Sequence, residues 1–360
     1  LVGDSEGGKL VRSPVHGCAT GNVGSILRTH LAGQTFLVGR PAAGYDNLVK
    51  NSDTCASLRL NSAALTDIGR KRTNNEDAFI ADPELGLYAV ADGMGGHAGG
   101  EVASQMAVEA LRSALPSAPD AAFVDKPTLA NRRRLLEWLV QTVQSINAAI
   151  HTRAQEDFKL RGMGCTLDVA LIRGGGVFTA HVGDSRIYIL RSGTVYQLTE
   201  DHTFAQMLLA NGVLSKEEVA KHPQRNMLTR GLGPFPSVQV DSAFFELDAG
   251  DVFLLCSDGL YVEVPEERIA ALLTQPPEVA TRELIAAGLE AGGRDNMTAV
   301  VFQVMQSPQQ QGIIGAEKTR RALARSSLFA AFTESELMRV QKIALGRIVP
   351  PGETVVAQGS

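Results

Sequence analysis

Several kinds of signal are missing from this 360-residue sequence. It has no apolar run long enough to span a bilayer and no secretory leader pattern. Its four cysteines, Cys18, Cys55, Cys165 and Cys256, stand far apart and form no CxxC pair. That argues against a structural zinc site and against a disulfide framework, and it fits a reducing cytoplasm. Cys165 and Cys256 lie in apolar runs and read as buried thiols. A basic surplus is also lacking: the net charge is −5, whereas nucleic-acid recognition wants a clustered basic surface. The short run Arg132-Arg133-Arg134 opens a helical pattern and reads as a solvated helix face. Gly95, Gly96, Gly99 and Gly100 match neither GxGxxG nor the Walker spacing, so they are not a nucleotide loop. The chain starts at Leu1 rather than Met, which keeps a lost targeting segment as an open alternative.

What is present is the balance of a soluble globular protein, 44% hydrophobic and 20% charged. Residues 1–61 are weakly patterned, a linker or the remnant of a small β domain, with one strand-like run at Thr35-Phe36-Leu37-Val38. From there the pattern sharpens. Leu87 to Ala91 reads as a buried strand ending at Asp92. Val102, Met106, Val108, Leu111 and Leu115 share one side of a helix. A longer helix from about Arg132 to Ala154 aligns Leu135, Leu136, Leu139, Val143, Ile146 and Ile150, with the sole Trp138 beside them. Strand-like runs follow at Leu167–Ile172, Val177–Val182, Ile187–Leu190 and Val195–Leu198, with Gly174-Gly175-Gly176 and Ser192-Gly193 as hairpin punctuation. Short helices are expected over Phe204–Ala210 and Lys216–Lys221, then a strand over Val252–Cys256. Two helices, about Glu266–Leu273 and Glu278–Ala291, and a strand over Thr298–Val304 complete the unit. Strand hairpins alternating with helix pairs predict an α+β fold: an antiparallel two-sheet core covered by helices.

Five acidic motifs punctuate these elements: Arg72-Thr73-Asn74-Asn75-Glu76-Asp77, Asp92-Gly93-Met94-Gly95-Gly96-His97, Gly183-Asp184-Ser185-Arg186, Ser257-Asp258-Gly259 and Arg294-Asp295-Asn296. Each puts an aspartate beside a residue that bends or opens the backbone, and most flank an apolar run. A single Asp-Gly is a turn. Several carboxylates gathered at strand ends are how proteins hold hard divalent cations.

In this order the motifs resemble the metal-dependent protein serine/threonine phosphatases of the PPM family (protein phosphatase, type 2C) in their bacterial form. The resemblance runs through Thr66-Asp67-Ile68-Gly69, Gly164-Cys165-Thr166, His181 to Tyr188, Leu228 to Gly233 and Leu255 to Leu260, and so covers residues 62–305. It implies a central sandwich of two antiparallel β-sheets flanked by helices, α-β-β-α, with the metals at one end.

What the resemblance implies about chemistry is specific. A phosphate monoester dianion repels nucleophiles, and a pair of divalent ions about 4 Å apart overcomes this by generating hydroxide and neutralising charge. By resemblance, Asp92 bridges two metals, with the carbonyl of Gly93 adding an oxygen. Asp258 and Asp295 hold one metal; Glu76 and Asp77 serve the other, directly or through its waters. Asp184 helps a third, weaker ion. All-oxygen ligands favour Mn²⁺ or Mg²⁺, two or three ions in all. Arg72 seats the phosphate with its planar fork; the alternative is an ion pair with Glu76 or Asp77. The hydroxide would attack phosphorus in line, with the serine or threonine oxygen leaving. Animal members carry a histidine two residues after the bridging aspartate; here that position is Met94. His97 and a metal-bound water stay as alternatives for the proton donor. Residues from Asp201-His202 to about Arg230 correspond to the flap beside the site, helical and polar, with an influence on substrate choice.

The expected partners are phosphoserine and phosphothreonine proteins, with no nucleic acid and no membrane. The rival to a phosphatase is a pseudophosphatase scaffold acting through protein contacts, against which every expected carboxylate counts; a signalling switch read out by protein contact is a third reading. Residues 306–325, with Ser-Pro and a glutamine run, read as a linker. Residues 326–360 resemble the start of a cyclic nucleotide-binding domain, with Pro351-Gly352-Glu353 at a turn. Its phosphate-binding cassette is not among these 360 residues, so cyclic nucleotide is expected to bind only a longer protein. Phe36 to Arg40 resembles one strand of a forkhead-associated domain, without that domain's Ser and His.

Overall fold

Apolar residues on alternate positions decide which way each strand faces. In Leu87–Ala91, Leu87, Ala89 and Ala91 pack with the helices on one side, while Tyr88 and Val90 point the other way into a core shared by two sheets. The computed structural model describes residues 27–31, 34–38, 58–94, 99–119, 128–219 and 222–306, together with Leu323, Phe332 and Leu337. Gly95, Gly96, His97, Cys18, Cys55, Phe36-to-Arg40 beyond Val38, most of the linker 306–325 and most of 326–360 lie outside the described residues.

The strands are β1 (Leu27–Leu31), β2 (Gln34–Val38), β3 (Arg59–Asp67), β4 (Ala78–Asp82), β5 (Leu87–Ala91), β6 (Gly93–Met94), β7 (Gly164–Cys165), β8 (Leu167–Arg173), β9 (Gly176–Val182), β10 (Arg186–Arg191), β11 (Thr194–Gln197), β12 (Asp241–Glu246), β13 (Val252–Cys256) and β14 (Met297–Gln306). The helices are α1 (Gly99–Ala114), α2 (Leu129–Glu156), α3 (Phe204–Ala210), α4 (Lys216–Val219), α5 (Asp258–Tyr261), α6 (Glu266–Leu272) and α7 (Pro277–Ala291).

One sheet has the order β1-β2-β3-β14-β13-β10-β11 and the other β12-β9-β8-β5-β4, and their neighbours run antiparallel. The α+β expectation holds. Strand β2 pairs with β3, Val38 opposite Ala63, so the run read at Thr35–Val38 continues the same sheet. Between the sheets, Tyr88 stacks on Phe302 at 4.2 Å and Phe302 on Phe253 at 4.7 Å between centroids. Stacked aromatic pairs of this kind add to simple area burial. Outside the second sheet, Leu111 of α1 and Leu135, Leu139, Val143, Ile146 and Ile150 of α2 are buried. Outside the first, Leu260, Ile269, Leu272, Leu284 and Ile285 of α5–α7 cover β13 and β14. The layers are therefore helix, sheet, sheet, helix. Cys165 and Cys256 are free, buried thiols. Among the described residues, no helix is long and apolar enough to cross a membrane.

Candidate active site

Antiparallel pairing collects the acidic motifs. Asp77 immediately precedes β4 and Asp92 follows β5, and these strands pair with Ala78 opposite Ala91. Asp184 lies in the β9–β10 turn, and Arg186 pairs with Cys256 just before Asp258. Asp295 precedes β14, whose Ala299 faces Cys256. All five aspartates thus fall at one end of the sandwich, contributed by both sheets.

Asp92 is the hub. Burial raises its pKa well above the usual carboxylate range, and Asp77, Asp258, Asp184 and Asp295 each add repulsion. Burial also pushes Asp77 up to about 7, with Asp258 and Asp295 reinforcing it and hydrogen bonds from Thr298 and Ser257 opposing it. Asp184 is pushed up to about 8, by burial first and then by Asp258 and Asp201. Asp258 is raised by burial and Asp295, and it shares a hydrogen bond with Asp92. Like charges this close strongly disfavour full ionisation unless cations enter.

The Asp77 carboxylate, the Asp92 backbone and the loop of Glu76 are held by residues that carried no expected role. Asp77 Oδ2 accepts from Ser257 Oγ at 2.7 Å and Thr298 Oγ1 at 2.6 Å. Its Oδ1 is buried with no hydrogen-bond partner among the described residues. The backbone of Asp92 is clamped by Thr166, whose Oγ1 accepts from Asp92 N–H at 2.9 Å and whose N–H donates to Asp92 O at 2.8 Å. Asn296 fastens the loop bearing Arg72 and Glu76: its Nδ2 donates to Ile68 O and Asn74 O, each at 2.9 Å, and its Oδ1 accepts from Glu76 N–H at 2.8 Å. Gly93 has no room for a side chain, since a Cβ would collide with the carbonyls of Gly100 and Glu76. Its N–H donates to Glu76 O at 3.1 Å. The Glu76 carboxylate lies over Gly100 in the first turn of α1, where the helix N-terminus favours an anion.

Arg72 sits at the rim. It pairs with Asp295 at 2.7 Å, not with Glu76 or Asp77 as the alternative reading had it. The methyl of Met94 packs against Gly164 and Gly231, so this position offers apolar contact and no proton. The segment from Asp201-His202 to about Arg230 contains α3 and α4 as expected, with Ala220 and Lys221 outside the described residues; beside its polar residues, Met207, Val213 and Met227 are exposed. Among the described residues, no three of the acidic, His or Cys side chains are arranged as a ready-made cage. Their oxygens are engaged instead: Asp295 with Arg72, Asp92 with Asp258, Asp77 with Ser257 and Thr298.

The sequence profile of the family described as protein phosphatase 2C matches residues 69–297. The chain belongs to the protein phosphatase 2C family. All five aspartates and Arg72 fall inside the matched residues. The chain is 37% identical over 243 residues to the serine/threonine phosphatase stp of Listeria innocua, covering 66% of this chain and 93% of that protein. It is 36% identical over 306 residues to the serine/threonine protein phosphatase PstP of Mycobacterium tuberculosis, covering 83% of this chain and 56% of PstP. The crystal structure of that PstP superposes with a TM-score of 0.62 at 39% identity, over 69% of this chain and all of the other. A PstP catalytic domain in complex with two manganese ions superposes with a TM-score of 0.59 at 37% identity, again over 69% of this chain and 100% of that one. The sandwich of antiparallel sheets flanked by helices is thus a protein phosphatase 2C fold.

Proposed function

We propose that the chain is a metal-dependent protein serine/threonine phosphatase, hydrolysing phosphoserine and phosphothreonine with Mn²⁺ or Mg²⁺. The observation that carries this reading is the convergence of Asp77, Asp92, Asp184, Asp258 and Asp295 on one end of the sandwich with Arg72 at its edge. The residues fit hard divalent cations. Their donors are all oxygen, the aspartates repel one another, and Asp77 Oδ1 is a buried oxygen without a hydrogen-bond partner among the described residues.

Asp92 would serve two ions and the Gly93 carbonyl one of them; Asp258 and Asp295 would hold one ion, and Asp77 and Glu76 would serve the other, directly or through its waters. Asp184 would serve a third. Bound there, the ions supply an acidified water and neutralise phosphate charge. The protein's part is to hold the geometry. Thr166 fixes Asp92, Ser257 and Thr298 fix Asp77, and Asn296 fixes the Arg72 loop. Arg72 exchanges Asp295 for two phosphate oxygens and so orients the monoester. Met94 carries no proton for the leaving oxygen; His97, three residues on, is the nearest candidate in sequence.

Phosphate release from phosphoserine, phosphothreonine and phosphotyrosine peptides tests the reading. Metal-dependent release from the first two, with little from the third, is expected. Release that ignores metal overturns it. The resemblance of residues 326–360 supports a further proposal, regulation by a cyclic nucleotide-binding unit in a longer protein. It is tested by the turnover of that longer protein with and without cyclic nucleotide, and an unchanged rate contradicts it.

A further inference from the structure

Both arms of the flap meet beside the turn that carries Asp184. The segment leaves and returns through one bridge, Thr203 opposite Leu228. Phe204 N–H donates to Met227 O and Thr229 N–H to His202 O, each at 2.8 Å. His202 is buried at this root and holds Gly183 twice. Its own N–H donates to Gly183 O at 2.7 Å, and its Nδ1 accepts from Gly183 N–H at 3.1 Å. A neutral ring that accepts at Nδ1 carries its proton on Nε2; Nε2 lies 3.2 Å from Asp241 Oδ2, and Arg230 Nη1 lies 3.0 Å from the same nitrogen. Arg230, on the returning arm, donates to Asp241 Oδ1 at 2.8 Å.

The neighbouring residues interlock in the same way. Arg186 forks onto Asp201 at 2.9 and 2.7 Å, and His181 Nε2 contacts Glu200 O at 2.9 Å. From the opposite side, Tyr261 Oη donates to Asp184 O at 2.8 Å. Gly183 itself has φ +116° and a Cβ there would strike Thr166, so this turn has little freedom of its own.

We propose that His202 is a positioning residue for Asp184. Through Gly183 it fixes the main chain that aims the Asp184 carboxylate. Through Asp241 and Arg230 it ties that aim to the seating of the flap. A phosphoprotein that moves the flap therefore changes how Asp184 is presented. The inference rests on the phosphatase reading above.

Two substitutions separate the two contacts. The amide oxygen of His202→Asn reaches the place of Nδ1 and keeps the Gly183 bond while losing Asp241. The longer His202→Gln reaches the place of Nε2 and keeps Asp241 while losing the side-chain bond from Gly183 N–H; the main-chain bond to Gly183 O stays in both variants. Manganese binding by calorimetry and phosphothreonine-peptide kinetics are measured on wild type and both variants. The loss of one buried hydrogen bond predicts about fivefold to tenfold weaker binding of the weakest manganese ion and a similar fall in kcat for His202→Gln. KM stays near wild type, and His202→Asn recovers most of both. Equal behaviour of Gln and wild type, or of Gln and Asn, overturns the proposal.

A wild-type protein without metal-dependent turnover overturns the phosphatase reading and this proposal with it. An active wild type with indifferent His202 variants overturns this proposal alone. If His202→Gln does not fold, hydrogen exchange decides. The Gly183 and Thr229 amides should both exchange faster in Arg230→Gln. A Gly183 rate that this variant leaves unchanged contradicts the coupling.

Discussion

Arg72 donates from Nη2 to Asp295 Oδ2 at 2.7 Å, with side chains 51% and 36% exposed. The residue expected to grip phosphate thus rests on one expected to hold a cation, and substrate binding must separate them. An exposed pair of this kind contributes about 0–1 kcal/mol to stability. A bidentate arginine–phosphate contact is stronger and geometrically selective. Arg72→Ala should leave thermal unfolding nearly unchanged and raise KM for a phosphothreonine peptide about tenfold. Arg72→Lys should fall between, because a point charge cannot reproduce the fork. An unchanged KM in Arg72→Ala would count against the phosphate role.

Asn296 is the hidden support of the same loop. Its side chain makes contacts to Ile68 O, Asn74 O and Glu76 N–H. Asn296→Ala leaves these backbone groups unpaired, at a cost of about 1–3 kcal/mol in denaturant unfolding. Because the loop carries Arg72, KM should rise as well. A variant as stable as wild type would mean that water replaces all of these bonds.

Much of this was legible because the sandwich interior writes itself in apolar runs. Leu87–Ala91 and Val252–Cys256 are fully buried strands, and the aspartates that end them stand out against them. Gly174-Gly175 and Ser192-Gly193 take positive φ, as their hairpin reading requires. The missed strands have physical reasons. β4 and β12 are sheet edges, so only part of each is buried and the alternation is weak. β3 mixes Asn61 and Ser62 with small alanines. The supports of the site, Asn296, Thr166, Ser257 and Thr298, act across separations of 41 to more than 200 residues in several of their bonds. No local pattern records such partners, and the same holds for His202 with Asp241 and Arg230.

Gly93 tests the packing of the site directly. A Cβ there meets two carbonyl oxygens held by backbone, neither of which can rotate away. Gly93→Ala should cost about 1–3 kcal/mol and abolish turnover by displacing the Asp92–Gly93 backbone. Full activity in this variant would show that the strand end can shift without loss.

His181 adds its own share to a pH dependence that Asp77 and Asp184, pushed up to about 7 and about 8, also carry. It is buried between the sheets, with Nδ1 2.7 Å from Asp168 and Nε2 facing Glu200 O; Asp201 and His202 are its other titratable neighbours. Burial opposes its charge, but Asp168 and the Glu200 carbonyl outweigh burial and raise its pKa above 6.5. A raised pKa means the folded state keeps a proton that the unfolded state releases. The resulting stability is fully present below pH 6.5 and is lost as pH rises through the folded value. His202 is lowered by burial, so its effect falls below pH 6.5 and does not overlap. Stability of wild type should therefore decline from pH 6.5 upward, with Asp77 and Asp184 contributing to the same decline, and His181→Gln should remove the His181 share and make it shallower. Parallel curves would contradict the assignment.

The central claim is that the five-aspartate end of the sandwich binds divalent metal for phosphoester hydrolysis, with Asp92 at its centre. The most direct measurement is phosphate release from a phosphothreonine peptide by wild type and Asp92→Asn, each with Mn²⁺ and with EDTA, alongside thermal unfolding of both proteins. Turnover is predicted only for wild type with Mn²⁺, while Asp92→Asn stays folded. Turnover by a folded Asp92→Asn, or by wild type in EDTA, would contradict it.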